Sequence, residues 1–161
     1  MVAETQIVAA TTIARHGGAV LLRGASGQGK SDLALRAICR PLQLPGEAAP
    51  APFRLVSDDQ TVLTVAQGTV RASPPGPLRD LLEVRGIGII QAPSVIDVPL
   101  ALVVDLTNTD IERMPEFPGA CQWLLGHCFD VVQVAPFELS APEKIALALE
   151  RSMAARDGNN A

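Results

Sequence analysis

The residues with the clearest chemical pattern form a glycine-rich loop between an apolar run at 19–22 and a helix-like run at 32–38. The spacing is G-x-x-x-x-G-K-S, and the members are Gly24, Ala25, Ser26, Gly27, Gln28, Gly29, Lys30 and Ser31. Closely spaced glycines let successive backbone N–H groups point at one phosphate, and a helix N-terminus adds a favourable partial charge. This context predicts a site for a nucleoside triphosphate, whereas a chance glycine-rich turn would lack it.

Lys30 and Ser31 are the loop residues with the most specific expected contacts. The ammonium of Lys30 suits the β- and γ-phosphates, and the hydroxyl of Ser31 suits the magnesium that accompanies a nucleotide. Phosphoryl transfer also needs an acid for the metal, a second acid for the proton of an attacking hydroxyl, and a further cation. The candidates for these roles are Asp58, Asp59, Glu83, Arg85 and Arg113.

Some of these candidate residues could instead have purely structural roles. Asp58 and Asp59 end a short apolar run, and adjacent aspartates often cap turns, but their place downstream of the loop favours function. Glu83 and Arg85 alternate along a predicted strand, so that they share a face. They either serve the site together or pair as a structural salt bridge.

The surrounding pattern predicts an α/β fold in which strands precede and follow the loop. Runs at 6–13 and 19–22, joined by a turn containing His16 and two glycines, predict an antiparallel hairpin. A continuous apolar run at 100–104 predicts a strand covered on both faces. A capping box at 140–143 predicts the start of a closing helix.

The domain prediction is one catalytic unit over 1–154, followed by a disordered tail over 155–161. The stretch 43–52 holds three prolines and predicts a surface connection. With 161 residues, 48% of them hydrophobic, the chain is long enough for one substantial core.

Composition argues against several classes of partner. No Tyr, one Trp and a net charge of −4 disfavour nucleic acid, which needs basic and aromatic surfaces. No apolar stretch is long enough for a membrane span, and Glu4 stands where a secretory leader would be basic, so a cytoplasmic protein is predicted. The cysteines do not predict a disulfide scaffold, and a metal site at Cys121, His127 and Cys128 would lack a fourth ligand.

Three stretches together resemble the catalytic domain of HPr kinase/phosphorylase. They are GASGQGKSDLAL at 24–35, LVSDD at 55–59 and LEVRGIGII at 82–90. The third is the distinctive one, because E-[IV]-R-G-[LI]-G-I-[IV] is particular to that family while the first motif is shared by many. The resemblance spans roughly residues 7–149 and corresponds to the family's short form.

The resemblance implies a serine kinase that uses ATP and Mg²⁺. Its substrate would be HPr, a phosphocarrier of the sugar phosphotransferase system through which carbohydrate metabolism is regulated, and inorganic phosphate would reverse the reaction by phosphorolysis. It also implies a P-loop kinase core resembling the nucleotide-binding domain of phosphoenolpyruvate carboxykinase, with a mixed β-sheet and flanking helices. Members of the family assemble into hexamers.

The resemblance also implies a role for each matching residue. Lys30 would hold the phosphates, and Ser31 and Glu83 would bind magnesium. Asp59 would accept the proton of the substrate serine, with Asp58 as its neighbouring support. Arg113 matches the catalytic arginine of the family.

Two departures from the family keep other functions open. Where the family has a histidine, this chain has Ala9, and the nearby His16 is predicted to be a solvated turn residue. The stretch 134–139 has no arginine where the family carries a basic P-x-R-P-G-R-N segment. An ATP-sensing module with little turnover is therefore a second hypothesis. A small-molecule kinase is a third, although no basic lid is visible over 46–77.

Overall fold

The computed structural model describes residues 2–159 and shows a mixed α/β architecture. In that range the strands are β1 (Thr5–Ala9), β2 (Thr11–Arg15), β3 (Gly18–Arg23), β4 (Arg54–Ser57), β5 (Gln60–Ala66), β6 (Thr69–Ser73), β7 (Leu81–Val84), β8 (Gly88–Gln91), β9 (Val98–Leu106), β10 (Cys121–Leu124) and β11 (His127–Val134). The helices are α1 (Lys30–Cys39) and α2 (Ala141–Asn159), and a short 3-10 turn spans Gly76–Leu78.

Strand β9 is the centre of the sheet. It pairs in parallel with β3 on one side and β11 on the other, and its first residues pair antiparallel with β6. The strand order is β1-β5-β6-β9-β3-β2-β4, and β10 adds to β11. The continuous apolar run predicted at 100–104 is thus confirmed as a strand buried on both faces. Strands β7 and β8 form a separate hairpin.

The two faces of the sheet are covered differently. On β3, Val20 and Leu22 pack in the cluster that holds α1 and α2, whereas Ala19 and Leu21 pack in the cluster formed with β5 and β6. This division follows from the alternation of side chains along a strand. Both helices therefore lie on the same face. Neither helix in the described range has an apolar stretch long enough to cross a membrane.

Two predicted extended runs are divided in the structure. The antiparallel hairpin of β2 and β3 is confirmed, but the run at 6–13 splits, because β1 pairs with β5 while β2 pairs with β3 and β4. The run leading to Ile90 folds back at Gly86, which has φ 85. Arg85 consequently lies beyond the end of β7, so the prediction that Glu83 and Arg85 alternate on one strand is wrong.

The proline-rich connection at 43–52 is fixed to the sheet by a buried ion pair. The guanidinium of Arg15 on β2 is 1% exposed and lies 2.7 Å from a carboxylate oxygen of Glu47. It also donates to two carbonyls of this part of the chain. The Arg15 guanidinium and the Leu44 N–H hold the pKa of Glu47 well below its usual range. The sequence predicted the connection but gave no sign of this anchor.

The predicted disordered tail is helical in the part that the structure describes. Helix α2 continues through Asn159, so residues 155–159 belong to it, while 160 and 161 lie outside the described residues. The Arg156 guanidinium lies 4.5 Å from the ring centroid of Phe129 and donates to the Cys128 carbonyl at 3.1 Å. Partial burial lowers the pKa of Arg156. The polar composition of the segment concealed this contact with β11.

The cysteines also differ from their prediction. Cys121 and Cys128 are paired as a disulfide across the hairpin of β10 and β11, with Cα atoms 5.7 Å apart. Cys39 is free and exposed. Spacing alone did not predict the pair, because nothing in the sequence indicated β10. In the register of the hairpin, Cys121 lies opposite Asp130 and Cys128 opposite Trp123, so the two cysteines are diagonal neighbours.

Candidate active site

The glycine-rich loop, residues 24–31, connects β3 directly to α1. Its backbone turns where the Gln28 N–H donates to the Ala25 carbonyl at 3.1 Å, and the Ala25 N–H donates in turn to the Gln28 Oε1 at 2.6 Å. Gly29 caps the helix with φ 92, in the left-handed region that favours glycine. The loop thus ends at the N-terminus of α1, where the first N–H groups of a helix have no intrahelical partner.

Lys30 lies across this loop. Its Nζ atom donates to the carbonyls of Gly24 at 2.7 Å and Ala25 at 3.2 Å, and within residues 2–159 it makes no ion pair. No carboxylate in that range pairs directly with its ammonium group. Together with the helix N-terminus, this charge gives the loop the electrostatic character that suits an anionic group such as a phosphate.

Asp58 is the buried anchor of the site. Only 7% of the residue is exposed, and one carboxylate oxygen accepts the Ser31 hydroxyl at 2.7 Å and the Thr11 hydroxyl at 3.0 Å. The other oxygen accepts the Glu83 N–H at 3.0 Å. Because these donors come from α1, β2 and β7, the single carboxylate joins three separate elements and fixes the orientation of Ser31.

Asp59 turns away from this anchor. Its backbone has φ 65, a left-handed conformation that aspartate adopts more readily than most residues. The Asp59 N–H donates to the Thr11 hydroxyl at 3.2 Å, and the next N–H, of Gln60, donates to the Asp58 carbonyl at 2.7 Å. The tight turn between β4 and β5 therefore buries one carboxylate and leaves the adjacent one exposed.

These groups surround a common cavity of about 410 Å³. The predicted site residues that line it include Lys30, Ser31, Asp58, Asp59, Glu83 and Arg85. They come from three distant stretches of the chain, as the motifs predicted. Glu83 and Arg85 are both exposed and form no ion pair among the described residues, so the alternative of a structural salt bridge between them is not realised.

Arg113 does not join this group. It is exposed in the connection between β9 and β10 and does not line the cavity. Arg85, in the turn after β7, is the arginine that does so.

The sequence reasoning did not propose Phe137, which also lines the cavity. It follows β11, and its ring rests on the loop so closely that a Cβ atom on Gly29 would lie 2.8 Å from it. Gly29 is therefore required both by its φ and by this contact. The available signal was an aromatic residue between Pro136 and Glu138 in a chain that has only four Phe and one Trp.

The two positions that distinguish the chain from the family can now be located. Ala9 ends β1 in register with Gln60, the residue after Asp59, so its side chain position is near the candidate acid. His16 is half-exposed in the turn between β2 and β3, 3.3 Å from a Glu47 oxygen, and does not line the cavity. It occupies a turn, as predicted.

The donor atoms of the site fit Mg²⁺ bound together with phosphates. They are the Ser31 hydroxyl and the Glu83 carboxylate, both hard oxygen ligands, whereas both oxygens of Asp58 already accept hydrogen bonds. No group of three or more His, Cys, Asp or Glu residues converges within residues 2–159. Magnesium commonly uses one or two carboxylates plus phosphate oxygens, so a set of this size suits it better than a fully protein-coordinated metal.

A glycine-rich loop that caps a helix, with carboxylates across a shared cavity, is typical of α/β domains that handle phosphate groups. Within that class, residues 1–110 match the family described as the HPr Serine kinase C-terminal domain, and the chain belongs to this family. The resemblance drawn from the three motifs is confirmed.

Individual relatives agree with this assignment. The HPr kinase/phosphorylase of Clostridium tetani is 36% identical over 96 residues, which cover 60% of this chain and 27% of the relative. That of Leptothrix cholodnii is 36% identical over 112 residues, covering 62% and 31%. The chain thus spans about a third or less of the length of these relatives.

A solved structure shows the shared fold. The Hpr(Ser) kinase/phosphatase from Coxiella burnetii superposes with a TM-score of 0.75 over 96% of this chain and 94% of that chain, at 22% identity. The two proteins therefore share a fold.

Proposed function

We propose that this protein is an ATP- and Mg²⁺-dependent serine kinase whose substrate is an HPr-like phosphocarrier, and that it regulates carbohydrate metabolism through the phosphotransferase system. The observation that carries the proposal is the bond from Ser31 to Asp58 beside the exposed Asp59, in the cavity that Lys30 also lines. The names of the relatives support the substrate class. We also propose that the fold is a P-loop kinase core that resembles the nucleotide-binding domain of phosphoenolpyruvate carboxykinase.

In this mechanism the loop N–H groups and Lys30 hold the β- and γ-phosphates. Ser31 and Glu83 would hold Mg²⁺, which would neutralise phosphate charge when bound, and Asp58 acts as a positioning residue that orients Ser31. The hydroxyl oxygen of the substrate serine bonds to the γ-phosphorus while Asp59 accepts the proton of that hydroxyl. The bond from that phosphorus to the bridging oxygen breaks, and ADP leaves.

A cation must also offset the charge that develops on the transferred group. Arg113 is the residue implied by sequence resemblance, and that role stays a prediction. We propose Arg85 as the first candidate to test, because it lines the cavity whereas Arg113 does not.

The second candidate function is an ATP-sensing module with little or no turnover. It is favoured by Ala9, which stands where the family has a histidine and lies in register beside the Asp59 turn. Ala9 should also weaken phosphorolysis, because the histidine of the family assists the phosphate chemistry at that position. We propose that transfer to the carrier is retained and that reversal by phosphate is weak.

The test is transfer of labelled γ-phosphate from Mg-ATP to an HPr-like carrier from the same organism, with wild type and Asp59→Asn. Asparagine accepts a left-handed backbone but is a poor proton acceptor, so transfer should fall by about 10²- to 10⁴-fold. Asp97→Asn is the matched control, because Asp97 also has positive φ, at 56, and lies outside the cavity.

The result separates the two functions. Labelled phosphoserine that disappears in Asp59→Asn and persists in Asp97→Asn supports the kinase. ATP binding without any phosphoprotein contradicts it and favours the sensing module. An Ala9→His variant that gains phosphorolysis would assign that deficit to the single missing side chain.

We further propose a cytoplasmic protein without nucleic-acid or membrane partners, acting as one catalytic domain over residues 1–154. A hexamer is proposed from the family resemblance alone. Light scattering of the purified chain would test the hexamer, and a monomeric mass at micromolar concentration would contradict it.

A further inference from the structure

The open aromatic ring beside the glycine-rich loop has no part in the phosphate chemistry. Phe137 is 63% exposed. It is the only aromatic residue that lines the cavity within residues 2–159. One part of the ring packs on Gly29, and the rest borders the cavity.

The segment that carries this ring is held on α1. The Arg36 guanidinium donates to the carbonyls on both sides of Phe137, those of Pro136 and Glu138. Its Nε atom is fixed in turn by Asp32 at 3.0 Å. Because the loop leads directly into the helix that carries Arg36, the ring and the loop are held by the same element. Such preorganisation lowers the entropy lost on binding.

A nucleotide bound by its phosphates at the loop must extend its sugar and base away from the α1 N-terminus. An exposed aromatic face within the same cavity offers a base a flat apolar partner, since every base has a π-face. The cavity volume of about 410 Å³ lies in the range of small-molecule sites.

We propose that Phe137 is the base-stacking residue of the nucleotide site and that it takes the purine ring of the bound triphosphate. This inference rests on the proposed function and adds the part of the site that binds the base. Arg36 is a positioning residue for the ring. Stacking reads the area of a base rather than its hydrogen-bonding edge, so ATP and GTP should bind similarly and better than CTP.

The test compares Mg-ATP with magnesium tripolyphosphate, which has the phosphates but no base, by calorimetry on the full chain. Phe137→Leu keeps an apolar contact with Gly29 but removes the ring, and it should weaken ATP binding by about 5- to 150-fold. Its affinity for tripolyphosphate should match the wild type. Trp123→Leu is the matched control, because Trp123 is 67% exposed on β10 and lies outside the cavity.

A second variant keeps a stacking surface. Phe137→Trp in a Trp123→Leu background has one tryptophan, so its fluorescence should be quenched by ATP and unchanged by tripolyphosphate. The stacking role would be overturned if Phe137→Leu lowered the affinities for ATP and tripolyphosphate equally, or lowered neither of them.

A Lys30→Ala variant distinguishes failure of this inference from failure of the proposed function. If the phosphate site is real, Lys30→Ala weakens ATP and tripolyphosphate together. If the wild-type protein binds neither ligand, the proposed function fails and the stacking role fails with it. If both bind and Phe137→Leu leaves the difference between them unchanged, only the stacking role is wrong.

Discussion

Residues 1–110 and residues 111–159 contribute to the same cavity in different ways. The first region matches the family profile and supplies Lys30, Asp58 and Asp59, all within short motifs that set their own backbone geometry. The second region lies outside that match and supplies Phe137, whose segment is bonded to Arg36 on α1. The phosphate side of the site therefore combines contiguous motifs with the bonds that Asp58 makes to three elements, while the opposite side depends on one distant segment that carries no motif.

Among the residues that position the site, the largest expected effect comes from Asp58, the anchor in the first region. Asp58→Asn removes a charge that orients Ser31, so phosphoryl transfer should fall by about 10- to 100-fold. The concentration of Mg²⁺ needed for half-maximal transfer should rise, which a purely structural defect would not produce. Steady-state kinetics at several Mg²⁺ concentrations, with Asp97→Asn as the control, measure both quantities. Unchanged Mg²⁺ dependence would count against this role.

A smaller effect is expected from the contact that joins the two regions. Arg36→Leu releases the carbonyls beside Phe137, so ATP affinity should fall by about 2- to 10-fold while tripolyphosphate affinity stays constant. Arg36→Lys keeps a donor and should lie between the two. Calorimetry with both ligands tests this. A larger loss for tripolyphosphate than for ATP would mean that Arg36 supports the loop instead.

The Arg15–Glu47 pair in the first region and Arg156 in the second region differ in how their contribution to stability depends on pH. Arg15 holds the pKa of Glu47 below its usual range, so this carboxylate stabilises the folded state above its unfolded pKa of about 4.3, and the contribution is lost as the pH falls below that value. The Arg156 guanidinium does not lose its proton in this range. Urea midpoints measured from neutral pH downward should fall more steeply for wild type than for Glu47→Gln. Parallel curves would remove Glu47 from the acid response.

The smallest expected effect lies at the end of α2. Arg156→Gln removes the contact with the Phe129 ring and should lower the free energy of unfolding by about 0.5–1 kcal/mol. Hydrogen exchange should quicken at residues 155–159 and stay unchanged in the loop. Arg151→Gln is the matched control, since its guanidinium lies 4.9 Å from a different ring, that of Phe117. Equal exchange in both variants would refute the anchoring role.

The same contrast explains what the sequence could predict. The loop and the Asp58 turn were predictable because glycine spacing and adjacent acids are contiguous signals whose geometry is local. The hairpin of β2 and β3 had its own turn residues. Arg85 was misplaced because two glycines end β7 earlier than its apolar pattern indicates.

Other features depend on contacts between distant residues. Neither Phe137 nor the helical end of α2 belongs to a sequence motif. The segment of Phe137 is held by Arg36 on α1, and the end of α2 is held by the contact of Arg156 with the Phe129 ring on β11. The pair of Arg15 and Glu47 is likewise visible only when the connection folds over β2. Propensity and periodicity carry little information about such contacts.

The left-handed backbone of Asp59 has a consequence for how this protein can evolve. Few residues adopt φ 65 readily, chiefly glycine, asparagine and aspartate itself. Asparagine and glycine are each one nucleotide substitution away from an aspartate codon, and neither strains the turn, whereas the chemically similar glutamate would. A lineage could therefore exchange the acid for a neutral residue and keep the fold, so that passage from enzyme to binding protein meets no conformational barrier at this position.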